Sequence, residues 1–219
     1  MILKLKEINA MIDRGGEHLA WLEDFIRHSD NRVVANHPDV HTLPESFDGI
    51  TTNIRIRIGE CANSFRNALN YMTCAIAEQD SGAIGDRVQF PIEDCRKVFL
   101  KRRNSQLEGI REERIVLFER FQPYNGGDWM KDLRELSNFY KHTGLILVNK
   151  QVDQIKPLSH ARNIKARSAL TGHMKTYRSL PFTITFPDGR PIIQTLDVVH
   201  ARVSDVVDQF NPLLRDLIE

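Results

Sequence analysis

At 219 residues, 41% of them hydrophobic and 27% charged, the chain can bury a proper core and is too apolar to remain disordered. No run approaches the roughly 20 apolar residues that span a bilayer, and the N-terminal MILKLKEINAMIDRGGEHLAWL scatters acids and bases where a signal peptide would be uninterrupted and apolar, so a cytoplasmic protein is expected. The formal net charge is +1, and the three cysteines Cys61, Cys74 and Cys95 form no C-x-x-C pair, which argues against a zinc site or a disulfide framework.

Along the chain, helical spacing of Leu5, Ile8, Ile12, Leu19, Leu22 and Ile26 predicts a helix over residues 3–28, which Gly15 and Gly16 would interrupt or kink. A connection follows, with a short strand expected at Arg32–Asn36 and Pro38, Pro44 and Gly49 beyond it. The clearest helix is predicted over 51–78. There Ile58, Cys61, Ala62, Phe65, Ala68, Leu69, Met72, Ala75 and Ile76 share one arc, and Asn63, Asn67 and Asn70 lie opposite with Arg66 at the edge. Three asparagines on one face call for a polar neighbour, because Asn is a mediocre helix former whose side chain competes for the backbone.

Phe90-Pro91-Ile92 reads as an extended approach to helical stretches at about 92–106 and 111–121. Gln122-Pro123-Tyr124-Asn125-Gly126-Gly127 is a turn, and Asp128 is placed to cap a helix over 129–148. On that helix Trp129, Leu133, Leu136, Tyr140 and Leu147 are apolar, and Arg134, Glu135, Asn138, Lys141 and His142 lie opposite. Residues 182–198 read as a β-hairpin around Pro187-Asp188-Gly189-Arg190, and a last helix is expected over 200–217, kinked near Pro212.

These elements predict an α+β, mainly α fold: a helical bundle with a small antiparallel β-sheet near the C-terminus. A single domain over 1–219 is expected, with 1–150 as the helical body and 151–219 as a basic segment, hairpin and final helix.

Nucleotide-binding, zincin and α/β-hydrolase signatures are missing. His37-Pro38-Asp39-Val40-His41 is a poor metal cluster, since Pro38 opposes the helix that would align the imidazoles. No cofactor and no metal are therefore expected. Two basic strips stand out: Arg96, Lys97, Lys101, Arg102 and Arg103, and an acid-free stretch between Gln154 and Pro187 carrying Lys156, Arg162, Lys165, Arg167, Lys175 and Arg178. They suit RNA or another polyanion, or equally a solvated face.

The chemistry that remains lies on the two polar helical faces. Arg66 could grip a phosphate, Asn67 could orient it, and His142 could move a proton near neutral pH. Asn70, Asn138 and Lys141 would bind substrate around them. Such a set suits metal-free handling of a phosphodiester. The alternative is that the polar faces satisfy one another inside a non-catalytic structural or protein-interaction module.

The runs Ile58-Gly59-Glu60 and Phe65-Arg66-Asn67-Ala68-Leu69-Asn70-Tyr71, then Phe90-Pro91-Ile92, Gln122-Pro123-Tyr124 and Leu133 to His142, resemble in order the elements of a bacterial family of uncharacterised proteins. The resemblance covers residues 58–148. More distantly, the chain is similar to the HEPN superfamily of helical domains, many of them metal-independent ribonucleases. That similarity implies a homodimer, phosphate contact by Arg66 and a polar partner in Asn67. The position that HEPN proteins fill with His holds Tyr71, so His142 would stand in for it. Literal Arg-to-His matches to the HEPN spacing occur only at Arg32–His37 and Arg167–His173.

Overall fold

The computed structural model describes residues 2–36, 47–142, 149–152, 163–167, 174–178, 182–186 and 189–215. The protein is mainly helical. Two 35-residue helices, α1 (Ile2–Asn36) and α2 (Phe47–Ser81), pack along each other, and α5 (Asp128–His142) and α6 (Ile192–Arg215) lie against them. Between α2 and α5 come the short helices α3 (Arg96–Gln106) and α4 (Glu112–Arg120) and a 3-10 turn at Pro123–Asn125. Arg96 pairs with Glu119 and Arg103 with Glu112, so the start of α3 meets the end of α4 and the two run antiparallel.

The arc predicted on α2 is the centre of the core: Ile58, Cys61, Ala62, Phe65, Ala68, Leu69, Met72, Ala75 and Ile76 are all buried. Ile8, Ile12, Leu19 and Leu22 of α1, Met130, Leu133 and Leu136 of α5, and Leu196, Val199, Val203 and Phe210 of α6 close around it. One aromatic chain ties the middle of the sequence to its end. Phe118 contacts Phe90 with ring centroids 5.5 Å apart and Phe210 at 4.7 Å, within the range where tilted rings attract.

Four expectations need correction. Gly15 and Gly16 do not break α1, which runs on to Asn36 and so takes in the expected strand Arg32–Asn36. The reason is packing: a Cβ at Gly15 would collide with the Phe65 ring, so glycine there lets α1 approach α2 closely. Helix α3 begins at Arg96, and residues 92–95 are not helical; the Ile92 carbonyl and the Glu93 N–H are bonded instead by the side chains of Arg134 and Gln122. The expected hairpin partner 192–198 is instead the start of α6. Its β-branched residues suggested a strand, yet Ile192, Leu196, Val199 and Val203 are all buried at helical spacing. The last helix, expected from residue 200, therefore begins at Ile192, and Pro212 lies within it as expected.

Pro187 and Asp188 of the expected turn lie outside the described residues, but the residues flanking them bond each other. Gly189, at φ +87°, donates to the Phe186 carbonyl, and Phe186 donates back to the Arg190 carbonyl; only glycine adopts that backbone freely. The strand before it, β4 (Phe182–Thr185), pairs antiparallel with β1 (Asn149–Val152), while β2 (Asn163–Arg167) pairs antiparallel with β3 (Met174–Arg178). The pair His37 and His41 lies outside the described residues, as do Lys156 and Arg162 of the second basic strip, whereas Lys165 and Arg167 fall on β2 and Lys175 and Arg178 on β3.

Candidate functional site

Two of the three predicted site residues of α2, Arg66 and Asn70, converge on one feature, the extended segment 88–94. Proline at 91 removes a backbone donor and bars a helix across this stretch, and among the described residues no strand pairs with it. Buried main-chain groups must nevertheless find partners. Here side chains supply them. Asn70 Oδ1 accepts the Phe90 N–H at 3.1 Å, and one turn earlier Arg66 Nη2 donates to the Phe90 carbonyl at 2.8 Å. Cys74, one turn further on, directs its Sγ at the Val88 carbonyl. The i, i+4, i+8 spacing on α2 thus tracks the segment in the reverse direction.

Two more grips come from the other side. Gln122, wholly buried, donates through Nε2 to the carbonyls of Pro91 at 3.0 Å and Phe118 at 2.9 Å, and accepts the Glu93 N–H on Oε1 at 2.9 Å. Arg134 of α5 donates to the Ile92 carbonyl at 3.1 Å and forks onto both oxygens of Asp94 at 2.9 Å. Glu93 itself is buried, and its carboxylate takes Arg102 Nη1 on both oxygens at 3.1 Å. Gly127 completes the QPY turn: a Cβ there would strike the Phe121 carbonyl.

The electrostatics follow from burial. Arg66 is pushed down to about 10 by loss of solvent, with Glu93 opposing the shift and Arg134 adding to it, so it stays charged at neutral pH. Its Nη1 is sealed from solvent without a hydrogen-bond partner, as is Oδ1 of Asn63. Asn67 is half-buried and Tyr71 exposed. On α5, Asn138 is exposed. The α5 backbone reaches His142, while the side chains of Lys141 and His142 lie outside the described residues.

The structure therefore joins Arg66 and Asn70 at one place, where they bond the protein's own backbone. Spacing alone did not single out Gln122, Arg134 or Glu93 as their companions. A signal for Gln122 existed, in that a glutamine inside an otherwise apolar and aromatic turn sequence needs buried partners. Part of the first basic strip is neutralised: Arg96, Arg102 and Arg103 pair with Glu119, Glu93 and Glu112. Lys97 and Lys101 have no acidic partner among the described residues. No group of three or more His, Cys, Asp or Glu side chains that could hold a metal occurs among the described residues, and no described helix is long and apolar enough to cross a membrane. No family model, no curated protein and no solved structure matches this chain.

Proposed function

We propose that this protein is a non-catalytic structural or protein-interaction module, a helical body whose polar helix faces serve to hold its own extended segment. The observation that carries this reading is the bonding of Arg66, Asn70, Gln122 and Arg134 to the main chain of residues 90–93. A guanidinium bonded to a buried carbonyl is poorly available to a phosphate. The resemblance to the bacterial family fits the same account, since its R-x-A-L-[DN], FPI and QPY elements and the helix of its N-x-x-K-H element supply the segment and its grips. The ladders over 149–185 are taken as a small antiparallel β appendage of that body.

A second reading, a HEPN-like protein that binds or cleaves RNA without a metal, draws on two observations. Arg66 keeps one nitrogen without a partner, and Lys97 and Lys101 are open to a polyanion. On that reading the partners are RNA and a second copy of the chain.

Incubation of the purified protein with mixed RNA in EDTA, beside Arg66→Ala and His142→Ala, separates the two. The module reading expects no cleavage by any of the three, a lower melting temperature for Arg66→Ala and an unchanged one for His142→Ala. Cleavage by the parent chain that a folded Arg66→Ala or His142→Ala variant loses would overturn it. Sedimentation at several concentrations tests the dimer independently.

A further inference from the structure

Away from segment 88–94, the contact between α1 and α2 contains a buried histidine between groups of opposite demand. His18 is 3% exposed. Its Nδ1 lies 3.0 Å from Arg57 Nη1 and 3.6 Å from Glu60 Oε2. Arginine has five N–H donors and no acceptor, so the short contact requires a lone pair on Nδ1 and places the proton of the neutral ring on Nε2. A carboxylate requires the reverse, a proton on Nδ1. Both cannot be satisfied at once.

We infer that His18 is a proton-operated switch in the α1–α2 contact: neutral, its Nδ1 accepts from Arg57; protonated, it releases Arg57 and donates to Glu60. The proton comes from solvent and ends on Nδ1, with no other bond made or broken. The same guanidinium lies 5.0 Å from the Trp21 ring, which stacks on Phe25 at 5.2 Å. Arg57 is thus held by a ring face on one side and the imidazole on the other, and protonation removes one of the two.

The charged surroundings set the direction. Burial lowers the affinity of His18 for a proton, Glu60 raises it, Arg57 and Arg14 lower it, and Glu17 raises it. On α6, His200 sits over Gly16, and Asp197 bears on Cys61. Strand β3, which also touches α1, carries Lys175 and Arg178 in its sequence. Desolvation is the largest of the effects on His18, so the neutral form prevails at pH 7. Folded His18 holds its proton less tightly than unfolded His18, whose value is about 6.5. The stability gained from the neutral contact is then complete above about 6.5 and is lost as pH falls through the lowered native value.

Trp21 reports the switch once Trp129 is replaced by Phe, because the chain has two tryptophans. On acidification, the Trp129→Phe protein should show a step in Trp21 emission with a midpoint below about 6.5. His18→Gln, whose side-chain oxygen can still accept from Arg57, should lose the step. Glu60→Gln should move the midpoint to lower pH, since the carboxylate favours the protonated ring, and this variant decides the matter if His18→Gln fails to fold. No step in the parent, an unaltered step in His18→Gln, or an unmoved midpoint in Glu60→Gln would each overturn the inference. So would nitrogen-detected spectra of labelled histidine placing the neutral proton on Nδ1.

Discussion

Replacing Gln122 by Leu is the sharpest perturbation of the extended segment. The two side chains are similar in size, so little cavity forms, and the change removes hydrogen bonding alone. Gln122 serves two carbonyls and one N–H, those of Pro91, Phe118 and Glu93, and it is 0% exposed, so water cannot replace it. A buried polar group left without its partner costs about 1–3 kcal/mol. The Phe118 carbonyl lies at the C-terminal end of α4 and can regain a partner there, whereas the Pro91 carbonyl and the Glu93 N–H have none at hand. Two orphans give a loss of about 2–6 kcal/mol, or about 4–24 °C in melting temperature for a chain of this length. Urea unfolding followed by circular dichroism should show a lower midpoint at an unchanged slope. A loss under about 1 kcal/mol, the size of an ordinary surface substitution, would refute the idea that these bonds hold the segment.

Other substitutions probe the remaining contacts. Gly15→Ala should destabilise by about 1–3 kcal/mol through its clash with Phe65, despite the better helix propensity of alanine. Gly16→Ala, whose Cβ would meet His200 Cε1 at 3.3 Å, should cost less, and equal melting temperatures for the two would argue against close α1–α2 packing at Gly15. The Asp80 side chain is 0% exposed, accepts the Arg111 N–H and faces Arg114 at 2.9 Å. Asp80→Ala should therefore cost about 3–5 kcal/mol by leaving Arg114 buried and unpaired, as read by urea denaturation. Arg66→Met, which orphans the Phe90 carbonyl, should lower stability by about 1–3 kcal/mol; a melt indistinguishable from the parent would make Arg66 a group free for a ligand.

Much of the helical body is legible from residue spacing, because burial imposes a 3.6-residue period on each helix that faces a core. Helix α5 starts at Asp128 itself, which lies in the first turn and not at the expected cap position before Trp129. Boundaries were less readable. The GG pair in α1 carries a local helix-breaking preference that a long-range contact with Phe65 overrides. The start of α6 was obscured by β-branched residues, whose helical spacing is visible only when 192–199 is joined to Val203, Val206, Val207 and Phe210. The site was half legible: the polar face of α2 signalled a polar neighbour, but not which one.

What the sequence by itself determined is most of the amphipathic helices, the faces they would bury, the break at the Gln122–Gly127 turn, and the need for something polar beside Arg66 and the asparagines. Those are consequences of local geometry and hydrophobic period. Only the tertiary structure decided that the main chain of residues 88–94 lies beside Arg66 and Asn70, running between these two residues of α2, Gln122 of the turn and Arg134 of α5. The physical reason is that an extended segment with proline in it has buried carbonyls and amides to satisfy, and which side chains reach them depends on residues 14 to 42 positions away, a separation that no local pattern records.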